Sequence, residues 1–287
     1  MIAAGIDWGS SSFRAYRFDS SGSHIDSVEG DCGIKFVEAQ NFEKLLLDKV
    51  DTWLDPGDTV LLSGMITSRN GWIESPYISC PANLQDLIHG GLTRQIRDIN
   101  LVFLPGLCQN QPPDVMRGEE LQLLGADSDG LSVIPGTHSK WAEIKNGTVK
   151  QFCTIPTGEL FEVLCNHTLI GALIEKNIFN PSAFTEGVDR GYRNNTIISE
   201  LFSTRSAVLL QQRNEVEAYW WLSGLLIGNE IREGRSLVAN FTGSILLIGS
   251  ESLCEKYQVA LEHLGIDTRT ASPDVTMRGF QKIIGVH

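Results

Sequence analysis

The stretch that decides the fold is "GIDWGSSSFRAYRFD", residues 5–19. Two apolar runs flank an aspartate, a glycine and three serines, although a tight hairpin needs only two turn residues such as Asn-Gly. The surplus is chemically pointed. Small and hydroxylated residues leave backbone N–H groups and hydroxyls free to approach an anion closely. Gly9, Ser10, Ser11 and Ser12 are therefore candidate phosphate ligands. Asp7, at the end of the first run, is a candidate to hold a hydrated Mg²⁺.

The same arrangement returns in "VIPGTHSKWAEI", residues 133–144. Gly136, Thr137, His138 and Ser139 form a second polar turn between two runs, with Lys140 next to it. Either turn alone could be a plain hairpin tip; two at corresponding places point to two similarly built domains facing each other across a cleft. A third element, "ILLIGSESLCEKYQVAL" at 245–261, reads as an apolar strand running into Gly249-Ser250 and then a helix. A helix start at a strand's carboxyl end is a natural ligand position in α/β folds.

Around these elements strands alternate with helices, which predicts an α/β layer architecture. Apolar spacing in "FEKLLLDKVDTWL" predicts an amphipathic helix closed by Pro56-Gly57. "KNGT" at 145–148 signals a type I′ hairpin. The stretch "CQNQPPDVMRG" reads as a loop and as the domain boundary, giving domains at 1–117 and 118–287. The helix "RGEELQLLGA" follows it and places Glu119 and Glu120 in a first turn. Either could be the carboxylate that accepts a hydroxyl proton, or merely an acidic turn favoured by the helix dipole; Glu119 is the preferred base. The loop "SGMITSRNGWIESPYISCP" at 63–81 is rich in groups that grip a polyhydroxylated anion. Arg69 can pair a carboxylate, Asn70 can bond hydroxyls, and Trp72 and Tyr77 offer stacking faces. Met65 in that loop and Arg117 before the acidic helix complete this candidate set.

Composition narrows the field. The 287 residues carry a net charge of −12, which argues against a nucleic-acid surface. The six cysteines are scattered without a CxxC pair, so reduced thiols are expected rather than a zinc site or disulfides. No signal peptide and no bilayer-length apolar run is visible, so the expectation is a cytoplasmic protein that engages no membrane. A P-loop, a dinucleotide fingerprint and a GxSxG elbow are all missing. Self-association is left open: a homo-oligomer is compatible with this sequence.

Taken together, the first hairpin, "PGTHSKW" and "LLIGSESL" resemble the two phosphate elements and the adenosine element of the actin/hexokinase/Hsp70 superfamily. "RGEELQLLGA" looks like the acidic helix of its carbohydrate kinases, with Glu119 standing where they carry an aspartate. Gly249-Ser250 stands where a Gly-Gly pair is usual. More narrowly, "IDWGSS", "PGLC", "VMRGEE", "PGTHSKW", "TGEL", "NHTLIGA", "AFTEGVDRG" and "WLSGLLIG" together resemble the 2-dehydro-3-deoxygalactonokinase family over nearly the whole chain. That resemblance implies two ribonuclease-H-like (actin-like ATPase) domains with mixed sheets, the first binding a sugar acid and the second ATP. It also implies transfer of the ATP γ-phosphate to the 6-hydroxyl of 2-dehydro-3-deoxy-D-galactonate, with Mg²⁺. The alternatives are a kinase of a related acid such as 2-dehydro-3-deoxygluconate, which differs at one stereocentre, or a non-catalytic sugar-binding regulator on the same fold.

Overall fold

A computed structural model of the chain describes residues 1–38, 41–194, 196–239 and 241–286. It divides into two compact units: Met1–Asp129 with Ile144–Gln151 and Ser272–His287, and Gly130–Glu143 with Phe152–Ala271.

The first unit opens with an antiparallel meander of β1 (Ile2–Trp8), β2 (Phe13–Phe18) and β3 (His24–Gly30). Helix α1 (Phe42–Val50) leads to β4 (Thr59–Ser63), which pairs parallel with β1. Strands β5 (Tyr77–Ser79) and β6 (Ala82–Asn83) and helix α2 (Leu84–His89) precede β7 (Leu92–Ile96) and β8 (Ile99–Phe103). The main sheet runs β3-β2-β1-β4-β8-β7, with β8 parallel to β4. This central sheet is buried on both faces, so β1 is apolar nearly throughout rather than alternating. Ala4, Ile6 and Trp8 join one core cluster with Phe42, Leu46 and Val50 of α1. On the other face, Phe280 lies so close to Gly5 that a β-carbon there would sit 2.4 Å from the ring.

The segment expected as a loop at 108–118 is instead a hairpin. Strands β9 (Gly106–Asn110) and β10 (Pro113–Met116) pair antiparallel and, with β5, make a three-stranded sheet. Leu107 and Met116 face each other in register and are both buried, which closes the hairpin. Pro113 at the first position of its strand spoils no ladder bond. The division between the units also falls elsewhere than the expected 117/118. Helix α3 (Glu119–Gly125) packs Leu121 in one cluster with Phe280 and Ile283 of the terminal helix, so both helices belong to the first unit.

The second unit repeats the plan. Strands β11 (Gly130–Ile134), β12 (Ser139–Lys145) and β13 (Thr148–Ile155) are followed by α4 (Thr157–His167), α5 (Pro181–Arg193), α6 (Ile197–Leu209) and α7 (Glu215–Arg235). Then come β14 (Ile245–Leu247), α8 (Glu251–His263), β15 (Thr268–Thr270) and, returning to the first unit, α9 (Val275–Val286). The order β15-β14-β11-β12-β13 matches β8-β4-β1-β2-β3 strand for strand. Both are the ribonuclease-H-like sheet that the family resemblance implies. The glycines of "AFTEGVDRG" and "WLSGLLIG" form the α5–α7 seam: β-carbons at Gly187 and Gly228 would meet the Trp221 and Val188 carbonyls, each at 2.2 Å. Among the described residues, no helix is long and apolar enough to cross a membrane.

Candidate functional site

Three chain segments converge at the end of β1 in the first unit. Gly64, just past β4, adopts φ 89°, a left-handed conformation that favours glycine. A β-carbon on it would lie 3.0 Å from the Trp8 carbonyl oxygen and 3.1 Å from Asp7 Oδ1. Gly118, at φ 108°, packs on Gly64 in turn, with its own β-carbon position 3.2 Å from the Gly64 α-carbon. Glu119 therefore begins α3 beside Asp7, and the two carboxylates feel each other's charge.

Asp7 is half-buried, and among the described residues no donor bonds its carboxylate. Desolvation pushes its pKa up to about 6, with Arg14 opposing and Glu119 adding to the rise. Arg14 stands directly across the ladder from Asp7. Ser63, in register on the other side, is buried with its hydroxyl unpartnered. A half-buried carboxylate without donors suits a cation held through water. Among the described residues no cluster of three His, Cys, Asp or Glu side chains exists, and Mg²⁺ needs none, since it keeps several waters and takes one or two carboxylates.

The adjoining turn is fixed from behind. Gly9 N–H donates to the Ser12 carbonyl at 2.9 Å, while Ile34 and Lys35 N–H donate to the Gly9 and Ser10 carbonyls. The N–H groups of Ser10, Ser11 and Ser12 have no partner among the described residues, and all three serines are exposed. These are free, pre-set donors.

At the start of α3 the two glutamates differ sharply. Glu119 Oε2 accepts the Arg117 N–H at 2.9 Å and remains partly accessible. Glu120 is fully buried and accepts the Gly118 N–H on both oxygens, at 2.9 and 2.7 Å. Burial, then the Glu119 charge, pushes the Glu120 pKa up to about 8.

The other loop residues divide between surface and scaffold. Arg69 and Asn70 are exposed; the Arg69 side chain, 84% accessible, makes only a loose pair with Glu74 at 3.4 Å. Met65 is half-buried against the first core cluster. Trp72, expected as a stacking face, is committed to the interior: it stacks on Phe42, meets Phe103 edge-on and carries the Arg94 guanidinium over its ring. Arg117 is likewise spent internally. It donates to Thr67 Oγ1 at 2.7 Å and the Ser75 carbonyl at 2.8 Å, and lies over the Tyr77 ring at 4.2 Å.

In the second unit, β11 and β14 run parallel and their carboxyl ends carry the turn 136–139 and Gly249-Ser250 together. A β-carbon at Gly249, φ 152°, would sit 3.8 Å from Pro135. Ser250 caps α8 without a side-chain bond, so the first N–H groups of that helix stay available. Thr137 and His138 are exposed, and His138 Nε2 pairs with Glu159 at 2.8 Å. Ser139 and Lys140 are buried; Lys140 donates to Thr154 at 2.7 Å. The N-terminus of α4 covers the turn, with Glu159 N–H donating to the Thr137 carbonyl. Beside Gly136 opens a pocket of about 140 Å³ lined by Phe161, Tyr219 and Trp220, by Leu253 and Tyr257 of α8, and by Lys176 and Lys256. An apolar, aromatic pocket with flanking cations next to free N–H groups suits a flat heteroaromatic ring carrying phosphates.

Sequence reasoning missed Arg14, Gly64, the α4 cover and this aromatic pocket. The spacing of Asp7 and Arg14 across a predicted hairpin could have revealed the first. The pocket draws on five distant segments and left no local signal.

Comparison with known proteins gives the family. A family profile described as 2-keto-3-deoxy-galactonokinase matches residues 7–283. The 2-dehydro-3-deoxygalactonokinase of Escherichia coli K12 is 34% identical over 279 residues, covering 95% of this chain and 94% of that protein. A Rhizobium meliloti protein provisionally assigned the same activity is 35% identical over 289 residues, covering 96% and 94%. The crystal structure of a Sinorhizobium meliloti protein with that provisional assignment superimposes with a TM-score of 0.90 at 33% identity, over 98% of this chain and 97% of that one.

Proposed function

Since the chain belongs to the 2-keto-3-deoxy-galactonokinase family, we propose that it transfers the γ-phosphoryl group of ATP to the 6-hydroxyl of 2-dehydro-3-deoxy-D-galactonate. The products are ADP and 2-dehydro-3-deoxy-6-phospho-D-galactonate, a step of galactonate breakdown sited in the cytoplasm, where ATP is available. The observation that carries this reading is the near-complete family match, 7–283, over a chain whose two six-stranded sheets each carry a glycine- and hydroxyl-bearing turn.

The chemistry follows from the groups present. Phosphoryl transfer requires alignment and charge neutralisation more than covalent help. The free N–H groups of Ser10–Ser12 and the turn at 136–139 are the phosphate donors. The aromatic pocket beside Gly136 and the Gly249-Ser250 junction take the nucleoside. Mg²⁺, associated through water with Asp7, neutralises phosphate charge when bound. Glu119 accepts the proton of the attacking hydroxyl; its contact with the Arg117 N–H fixes the carboxylate's direction. Arg117 acts here by holding Tyr77 and Thr67 in place, and Asn70 and exposed Arg69 are the contacts left for the sugar acid's hydroxyls and carboxylate.

A coupled ADP-release assay over a panel of sugar acids tests the reading. Release with 2-dehydro-3-deoxy-D-galactonate well above that with 2-dehydro-3-deoxygluconate is expected; release with neither would overturn it. Arg69→Ala should raise the KM for the sugar acid by about tenfold, the worth of a charge-assisted pair, and leave the KM for ATP nearly unchanged. Equal rises in both would remove Arg69 as the carboxylate clamp.

A further inference from the structure

Glu230 of α7 has no accessible surface, and its carboxylate is the common acceptor of a polar network inside the second unit. Trp141 Nε1 donates to Oε1 at 2.9 Å, and the Tyr257 hydroxyl donates to Oε2 at 2.6 Å. The hydroxyls of Ser139 and Thr157 lie near enough to favour its charged form. Burying a carboxylate is costly, and desolvation pushes its pKa up even against these neighbours. The proposed chemistry makes no use of Glu230, so its position calls for another explanation.

The donors share a location. Ser139 ends the turn at 136–139. Thr157 opens α4, and the next residue, Gly158, packs so tightly on that turn that a β-carbon would sit 2.4 Å from the Gly136 carbonyl oxygen. Tyr257 of α8 lines the aromatic pocket. One carboxylate thus links a wall of the adjoining pocket to the turn through Tyr257 and Ser139, with Thr157 at the start of the covering helix close by.

The network also has a direction. A carboxylate only accepts, so Tyr257 spends its single proton on Glu230. Ser139 Oγ, 3.1 Å from the Tyr257 oxygen, must then donate inward, to Tyr257 or to Glu230 itself. Its remaining lone pair faces the Gly136 N–H at 3.4 Å. Ser139 therefore has no proton to offer a phosphate; it shapes the turn's backbone instead.

We propose that Glu230 is a positioning residue for nucleotide binding: through Ser139, Thr157 and Tyr257 it holds the 136–139 turn and its neighbours in the arrangement that receives phosphates. This rests on the reading of that turn as a phosphate site. Glu230→Gln keeps size and removes the acceptor on one side, because an amide nitrogen donates. At least one hydroxyl must then turn away.

The test measures KM for Mg-ATP and for the sugar acid separately in the full-length enzyme. Glu230→Gln should raise the ATP KM by about tenfold and leave the sugar-acid KM within about twofold of wild type. Tyr257→Phe, which removes one proton and keeps the ring, should give a smaller rise of the same selectivity, and carries the test if Glu230→Gln does not fold. A purely structural role would lower the active fraction, and hence kcat, without moving either KM. Gly136→Val is the control: a β-carbon at Gly136 meets nothing within 4 Å, so it should fold normally yet crowd a bound phosphate and raise the ATP KM. A silent Gly136→Val would overturn the phosphate reading of the turn. An effective Gly136→Val with silent Glu230→Gln and Tyr257→Phe would overturn the role of Glu230 alone.

Discussion

Glu119→Gln is expected to lower kcat by roughly two to four orders of magnitude, the usual contribution of a positioned base, while ATP binds as tightly as before. The substitution is a clean one. The amide oxygen of glutamine can still accept the Arg117 N–H that Glu119 now accepts at 2.9 Å, so the start of α3 should keep its geometry. What disappears is the capacity to take a proton from the sugar hydroxyl. The neighbouring Glu120 cannot substitute. It is fully buried, both its oxygens are turned onto the Gly118 N–H, and its pKa of about 8 leaves it mostly protonated at neutral pH. Single-turnover rates beside calorimetric ATP affinity give the answer; near-normal turnover in the variant would remove Glu119 from the base's role.

Asp7→Asn should cost about 100-fold or more in kcat and at the same time make the nucleotide-free protein more stable above pH 6. The sign follows from linkage. The Asp7 pKa rises from 3.8 to about 6 on folding, so between those values the folded state holds more protons than the unfolded one. Stability from this group is greatest below about pH 4 and is lost as pH rises through 6. Asparagine carries no such penalty. The melting temperature of the variant should therefore exceed wild type at pH 8, and the gap should shrink as pH falls and close near pH 4. All other carboxylates are common to both proteins, so the difference reads Asp7 together with its coupling to Glu119. A gap independent of pH would contradict the desolvation of Asp7, and retained activity would contradict its role with the metal. A charge held where it weakens the fold is what a metal-associated carboxylate requires.

Much of the architecture could be read from local signals. The paired hairpins predict two like sheets, and the strand orders agree. Asn146 and Gly147 both take positive φ, as the "KNGT" type I′ turn demands. The hairpin at 106–116 is masked in the sequence because its prolines and glutamines break the alternation, and of its four facing pairs only Leu107–Met116 is buried on both sides.

The site was legible to the level of segments rather than of side chains. Asp7 and Glu119 lie close together and Ser10–Ser12 are exposed, so these groups are still open to a ligand. Trp72, Arg117 and Ser139 have the right chemical character, but Phe42, Thr67 and Tyr257 occupy them. A sequence displays which groups exist and not which of them the interior has already engaged. Glu230 lies ninety residues from its Ser139 and Trp141 partners, so no spacing could have announced it.

Amide hydrogen exchange tests the central claim most directly, because it reads the N–H groups in each unit that are proposed to meet phosphate. Adding a non-hydrolysable ATP analogue with Mg²⁺ should slow exchange at Ser10, Ser11 and Ser12 and across 136–139. Unchanged exchange at both turns under saturating analogue would contradict the account.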